Sequence, residues 1–132
     1  MPIWRWMSPI VLFARSKFAR FLLGWIFAHM SFLIPVKRLY ETETMLAFYH
    51  PQPSYAVHIL LVPKKAVANL MELDPSDDIF LADLYRITQK LVSEMNLAEV
   101  GYRLLVNGGE YQDVPQLHFH LISGNQMVEK KV

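Results

Sequence analysis

Cysteine is absent from this chain of 132 residues, and glycine occurs only five times. The absence of cysteine excludes disulfide bonds, thiolate zinc sites and a cysteine nucleophile. No internal repeat, low-complexity tract or Gly/Ser linker divides the chain. Charged residues are scarce at 19%, whereas hydrophobic residues make up 53%, which is typical of a folded protein rather than a disordered one. We therefore expect one domain with a single hydrophobic core.

Acidic residues are missing from residues 1–40, which carry six lysines and arginines, whereas the rest of the chain carries seven basic and twelve acidic residues. A helical pattern covers about Ile10 to Phe32 and ends before Pro35. Three interpretations stay open: a helix packed on protein, a helix on an anionic membrane surface, and a membrane span. The apolar run Phe21–Val36 has about sixteen residues, short of the roughly twenty of a span, and no signal-peptide cleavage site closes it.

Apolar segments separated by polar turns and prolines predict an antiparallel sheet of about five strands. The predicted strands are two within Leu39–Tyr49 around the turn Glu41–Thr44, and one each at Ala56–Val62, Gly101–Val106 and Leu117–Ile122. Ala56–Val62 is apolar at almost every position, as expected for a strand covered on both faces. His50–Ser54 contains two prolines and is predicted to be a loop.

A long helix is predicted from Asp74 to about Asn96, and a shorter one at Lys64–Met71. Asp74 suits the N-cap and Pro75 the first helical position. Apolar side chains then recur at helical spacing and predict one buried stripe: Phe80, Leu84, Ile87, Leu91 and Met95. The sheet, one long helix and one or two shorter helices together predict an α+β fold.

Three histidines lie within predicted strands: His118 and His120 in LHFHLI, and His58 in AVHILLV. Because side chains alternate along a strand, Gln116, His118 and His120 share one face, with the two imidazoles about 6 to 7 Å apart at the backbone. A structural role is open for each of them. A metal site is also open but needs a third ligand, for which His58 or Glu110 has no characteristic spacing. Spacing alone predicts a histidine site of undecided chemistry.

The run Gln116-Leu117-His118-Phe119-His120-Leu121-Ile122, preceded by Gln112-Asp113-Val114-Pro115, resembles the motif His-φ-His-φ-His-φ-φ of the histidine triad (HIT) family, where φ is apolar. Three other segments resemble that family in order and spacing: Met45–Phe48, His58–Lys65 and Gly101–Asn107. Ile34-Pro35 also falls where the family has an Ile-Pro after its first helix. The resemblance implies a HIT-like domain at residues 25–124, between a basic, apolar extension at 1–24 and a tail at 125–132.

The resemblance also implies a set of site residues. His118 takes the place of the nucleophile that attacks the α-phosphate of a nucleotide. His120 matches the histidine that touches the phosphate, and His58 supports the site from the neighbouring strand. The positions that match substrate-binding residues are Asn107, Gln112, Gln116, Phe48, His50 and Gly109.

Four positions depart from the family's pattern. Gln116 replaces the first triad histidine with an amide that carries no proton at neutral pH. His50 stands where many relatives have an acid for the ribose hydroxyls, and Ala66 where a histidine is frequent. Asp113 replaces a small hydroxyl residue, and its charge repels phosphate if it points inward.

The implied function is a hydrolase or nucleotidyltransferase that acts on the α-phosphate of a nucleoside phosphoramidate, dinucleoside polyphosphate or related ester through a covalent nucleotidyl-histidine. The alternative is a nucleotide-binding regulatory protein with weak or no turnover. We expect no metal ligands and no cofactor, except Mg²⁺ that arrives with the substrate. We also expect a homodimer in the cytoplasm, with residues 1–24 available for contact with a membrane surface. Nucleic acid is not an expected partner, because the domain itself is acidic.

Overall fold

A computed structural model describes residues 38–127. The predicted N-terminal helix, the extension at residues 1–24 and the end of the tail lie outside the described residues. Between residues 38 and 127, no helix combines the length and the apolarity that crossing a membrane requires.

Five strands form one antiparallel sheet in the order β1-β2-β3-β5-β4. They are β1 Arg38–Glu41, β2 Met45–Tyr49, β3 Tyr55–Pro63, β4 Arg103–Val106 and β5 Phe119–Gln126. Each strand overlaps one that the sequence predicts. The α+β prediction with about five antiparallel strands is therefore confirmed.

The long helix α1, Asp78–Glu94, covers one face of the sheet and forms the main core with it. Four fully buried side chains point from three strands toward this helix: Ala47, Ile59, Leu61 and Leu121. The opposite face carries a smaller apolar cluster of Leu46, Phe48 and Val62. Because neighbouring side chains on a strand point to opposite faces, the same strands supply both the core and this second face.

The predicted buried stripe of α1 is present, since Phe80, Leu84, Ile87 and Leu91 are all buried and Met95 packs at its end. The predicted start of the helix at Asp74 and Pro75 is wrong.

The N-cap is Asp77, whose carboxylate accepts a hydrogen bond from the Phe80 N–H at 3.2 Å. The Asp74 carboxylate instead accepts from the N–H and the hydroxyl of Ser76. Asp74 therefore closes a turn before the helix, and the second acid of the segment caps the helix.

The predicted helix at Lys64–Met71 is also wrong, because this segment contains only a 3₁₀ turn at Leu70–Glu72. Two of its backbone carbonyls accept hydrogen bonds from the segment before β5 rather than from amides one helical turn further along. The Val67 carbonyl accepts from the Leu117 N–H at 2.8 Å, and the Ala68 carbonyl accepts from the Gln112 side chain at 2.7 Å. A short helix that the sequence did not predict, α2 at Leu97–Val100, follows α1.

Candidate active site

A cavity of about 290 Å³ opens on the sheet face opposite α1. Its floor is apolar and consists of Phe48 from β2 with Leu60 and Val62 from β3. Polar side chains from β5 and the loops close the rest: His50, Asn107, Tyr111, Asp113, Gln116, His118 and His120. The cavity therefore combines an apolar bed with a cluster of imidazoles and amides, as small-molecule sites commonly do.

The register of the strands brings His120 to this cavity. Phe48 lies opposite Leu60, and Leu60 lies opposite His120, so the three residues form a row across the sheet. His118 precedes the first residue of β5, so its predicted place inside the strand is wrong by one residue. Its ring nevertheless lies 4.9 Å from the ring of His120, centroid to centroid, and both rings line the cavity.

His118 is held by its own backbone neighbourhood. Its Nδ1 lies 2.7 Å from the backbone carbonyl oxygen of Gln116. Because a carbonyl oxygen only accepts, Nδ1 carries the proton and donates it. In the neutral ring Nε2 then bears a lone pair, and this is the arrangement of a nitrogen nucleophile.

A chain of hydrogen bonds gives His120 the opposite tautomer. The N–H of Ser54 donates to Nδ1 of His58 at 3.0 Å, so a neutral His58 carries its proton on Nε2. That Nε2 lies 2.9 Å from Nδ1 of His120 and donates to it. His120 therefore carries its proton on Nε2, which is buried and has no protein partner among the described residues. A donor N–H is thus available beside the lone pair of His118.

His58 and His120 are neutral at pH 7. Burial, together with the nearby charge of His50, lowers the pKa of His58 to about 4. Burial and the neighbouring histidines, His118 first among them, lower the pKa of His120 to about 4. The hydrogen-bond chain from Ser54 therefore keeps one pattern of donors and acceptors throughout the neutral pH range.

His50 completes a group of four histidines. Its Nδ1 accepts a hydrogen bond from the Gln52 N–H at 2.9 Å, so the neutral ring carries its proton on Nε2. The ring lies 4.3 Å from that of His58, centroid to centroid, and the residue lines the cavity. Burial and then the charge of His118 lower the pKa of His50. His50 therefore supplies an aromatic surface and one N–H to the cavity.

Gln116 has no proton to exchange, but its amide orientation is defined. The side-chain nitrogen donates to the backbone carbonyls of Pro63 at 3.5 Å and Lys65 at 3.2 Å, at the end of β3. The side-chain oxygen, Oε1, is buried and has no partner, and the residue is only 1% exposed. A buried acceptor without a partner costs about 1–3 kcal/mol, which makes this atom a candidate for ligand contact.

The structure separates the residues predicted to bind substrate into two groups. Phe48, His50, Asn107 and Gln116 line the histidine cavity. Gln112 and Gly109 instead line a neighbouring cavity of about 570 Å³. The amide nitrogen of Gln112 donates to the carbonyls of Ala68 and Val114, so it braces the loop. His58 lies behind His120 and does not line the cavity.

Several lining residues were missed from the sequence. Leu60 and Val62 share the face of His58 on β3, so strand alternation was a sufficient signal for both. Tyr111 and Val114 lie in the loop before β5, where no periodicity indicates direction. Their approach to the cavity depends on how the loop packs.

Among residues 38–127, no group of three or more histidine, aspartate or glutamate side chains is arranged to hold a metal ion. The nitrogens of His58 and His120 face each other, and a backbone N–H occupies the other nitrogen of His58. What the described geometry supplies is one lone pair, one N–H donor and one amide acceptor around a single cavity.

Known proteins are similar to this chain in sequence and in fold. A family model described as HIT domain matches residues 32–127. A HIT-like protein of Azospirillum brasilense is 36% identical over 97 residues, which are 71% of this chain and 80% of the relative. The crystal structure of a HIT family hydrolase from Legionella pneumophila Philadelphia 1 is similar, with a TM-score of 0.69 and 30% identity over 81% of this chain and 97% of that one. A histidine triad nucleotide-binding protein from Candida albicans is similar at a TM-score of 0.65 and 30% identity, over 79% and 75%. The chain therefore belongs to the HIT domain family.

Proposed function

We propose that this protein is a nucleotide hydrolase or nucleotidyltransferase in which His118 attacks the α-phosphate and forms a covalent nucleotidyl-histidine. One observation carries the proposal. The Gln116 carbonyl accepts the Nδ1 proton of His118 at 2.7 Å, which leaves the Nε2 lone pair beside the N–H of His120. A lone pair and a donor on one cavity match the two needs of attack at phosphorus.

In the proposed reaction, Nε2 of His118 forms the bond to phosphorus while the bond to the leaving group breaks. The Nε2–H of His120 donates to a phosphoryl oxygen, where negative charge develops. His58 does not touch the substrate and acts as a positioning residue, because its Nε2–H holds the tautomer of His120. Water or another acceptor then attacks the phosphorus and frees His118.

The apolar floor favours a nucleoside over a free phosphate as the ligand. Phe48, Leu60 and Val62 offer apolar contact to a base or sugar a short distance from the histidines. The N–H of His50 and the side chain of Asn107 provide polar contacts at the edge of this floor. The names of the similar solved proteins, a hydrolase and a nucleotide-binding protein, support the same substrate class.

A second candidate is a nucleotide-binding regulatory protein with weak turnover. Gln116 cannot donate a proton to a leaving group, and the pKa values of His58 and His120 are lowered to about 4, so neither ring is an acid at neutral pH. The leaving group must then take its proton from water or enter already protonated. This observation favours slow turnover over loss of binding.

Intact-protein mass spectrometry after mixing with a panel of activated nucleotides tests the proposal. We expect a mass increase of one nucleotidyl group, located on His118 by peptide mapping. His118→Ala should abolish the adduct and nucleotide release while the nucleotide still binds, and the exposed Gln89→Ala should behave as the parent chain does. Binding in the parent chain without adduct or turnover on any substrate would favour the regulatory function.

Several expectations about partners stay predictions. We propose a homodimer, which light scattering after size-exclusion chromatography would detect. We also propose that the protein is cytoplasmic and that residues 1–24 contact a membrane surface. Co-sedimentation with anionic liposomes would test this contact, with the full chain compared to a chain that lacks these residues. Mg²⁺ is proposed only as a companion of the phosphate substrate, and turnover should persist in a chelator when the substrate needs no Mg²⁺.

A further inference from the structure

A separate cavity of about 400 Å³ lies at the end of the sheet where β3 and β4 begin. Tyr55 and Arg103, the first residues of these two strands, line it together with Ile122–Asn125 of β5. It shares no lining residue with the histidine cavity. Because His118 precedes the first residue of β5 and Ile122–Asn125 lie near the end of that strand, the two cavities are different sites.

The charge in this cavity comes from Arg103. The described lining contains no aspartate or glutamate, and within residues 38–127 the guanidinium makes neither an ion pair nor a hydrogen bond. The histidine cavity is the opposite case, since its described lining contains Asp113 but no lysine or arginine. A guanidinium offers five N–H donors in one plane, which suits the oxygens of a carboxylate or a phosphate. The cavity therefore has an available positive charge, which favours an anionic ligand.

Three further donor side chains share the lining with the guanidinium: Tyr55, Tyr102 and Asn125. Their hydroxyls and amide make no hydrogen bond to another residue between 38 and 127. The hydroxyl of Ser123 is different, because it donates to the Gly101 carbonyl and is already used. An anion in the cavity can thus receive charge-assisted hydrogen bonds from Arg103 and additional ones from the neutral donors.

We propose that this cavity is a second ligand site, which binds a small anion through its carboxylate or phosphate group, with Arg103 as the main contact. The site is independent of the reaction at His118, since it uses none of the residues that line the histidine cavity. A volume of about 400 Å³ admits a small organic acid or a phosphate ester. A neutral ligand of the same shape gains no charge-assisted hydrogen bond and should bind much less tightly.

Tyr55 connects this cavity to the hydrogen-bond chain of the histidines. Its ring meets the His58 ring edge-on, with the centroids 5.8 Å apart and the planes at 74°. His58 in turn donates to Nδ1 of His120. An anion that binds the Tyr55 hydroxyl therefore lies one aromatic ring away from His58. We expect occupancy of the cavity to change the ring ¹⁵N chemical shifts of His58.

Two-dimensional ¹H–¹⁵N NMR of the full chain tests the site, with malonate and inorganic phosphate as the anionic probes. The signals of Arg103 Nε–H and of the backbone amides of Gly101 and Gly124 report on this cavity. Malonamide, the neutral counterpart of malonate, is the control for shape, and sodium chloride at equal ionic strength is the control for screening. We expect saturable shifts with malonate or phosphate, and an affinity at least tenfold weaker for malonamide than for malonate.

Arg103→Gln removes the charge but keeps a polar side chain at an exposed position at the start of β4. The affinity for malonate should fall at least tenfold in this variant. Arg103→Lys retains the charge but not the planar set of donors, so its affinity should fall less. Lys90→Gln is the matched control, because it removes one positive charge from the exposed face of α1 and lines neither cavity. Its affinity for malonate should equal that of the parent chain.

Equal affinities for malonate and malonamide, or an unchanged malonate affinity in Arg103→Gln, would overturn the anion site. The absence of shifts with both probes would overturn it too, and is the result expected if a carboxylate of a second copy of the chain already occupies Arg103. Saturation of the cavity without any change in the His58 shifts would overturn the connection through Tyr55 and leave the anion site in place. None of these measurements uses turnover, so failure of the reaction proposed for His118 would not change their result.

Discussion

The two faces of the sheet are made by the same strands but differ in chemistry. On β3, Ile59 and Leu61 point toward α1 and are buried among apolar side chains. His58 and Leu60, their neighbours in sequence, point to the other face, where imidazoles and apolar floor share a cavity. A single alternation thus separates a face that stabilises the fold from a face that can bind a ligand.

The two faces bury their side chains through different interactions. Leu61 needs only contact, because burial of apolar surface is favourable in itself. His58 and His120 are about as buried as the core but remain there through directed hydrogen bonds from Ser54 and to each other. Loss of one such hydrogen bond costs free energy. The positions of donors and acceptors on the histidine face are therefore more restricted than those of apolar side chains in the core.

Truncation of neighbouring leucines should give the largest difference between the faces. Leu61→Ala removes a fully buried side chain from the core and should lower the free energy of unfolding by about 2–5 kcal/mol. Leu60→Ala opens the cavity floor, which is only partly buried, and should cost less stability but weaken nucleotide binding more. Urea unfolding and titration calorimetry measure the two effects. Equal losses of stability with unchanged affinity in both variants would contradict the assignment of stability to one face and ligand binding to the other.

His58→Ala should have an intermediate effect. It removes the donor to Nδ1 of His120 and should lower the free energy of unfolding by about 1–3 kcal/mol, because a buried acceptor loses its partner. His120 should then no longer hold its proton on Nε2 alone. Ring ¹⁵N chemical shifts report the tautomers: Nε2–H for His58 and His120 and Nδ1–H for His118 in the parent chain, and a mixed state for His120 in the variant. An unchanged His120 tautomer in the variant would show that His58 does not position it.

Stability should also depend on pH. The pKa values of His58 and His120 are about 4 in the folded protein, below the ordinary histidine value of about 6.5 in the unfolded chain. Between these values the unfolded chain binds more protons, so the free energy of unfolding should rise with pH. The contribution should be complete above about pH 6.5 and lost as the pH falls toward about 4.

Urea unfolding at several pH values measures that slope. The window from about pH 5 to 6.5 is suitable, because carboxylates are mostly ionised there: the ordinary pKa values of Asp and Glu are about 3.9 and 4.3. Hydrogen bonds from Thr44 and Lys64 lower the pKa values of Asp83 and Glu41 further. His58→Ala should show a shallower slope in this window. A flat profile in the parent chain would mean that these histidines titrate normally.

Local patterns predicted most of the fold. The strands at Met45–Tyr49 and Tyr55–Pro63 and the stripe of α1 follow from alternation and helical spacing, which are properties of neighbouring residues. The failures lie where a distant segment competes for the backbone. Lys64–Met71 is a reasonable helix in isolation, but its carbonyls are bonded by the segment before β5 instead. Asp74 and Asp77 are equally good caps by residue type, and only the turn geometry chooses between them.

The order of residues by itself determined an α+β chain with five antiparallel strands and the placing of His118 and His120 two residues apart beside an apolar run. Those features depend on the alternation and spacing of neighbours. Tertiary structure alone decided which ring nitrogen holds a proton, which face of β3 meets His120, and that Oε1 of Gln116 is left without a partner. The reason is that hydrogen-bond direction depends on where the backbone groups of other strands lie, and spacing along the chain does not contain those positions.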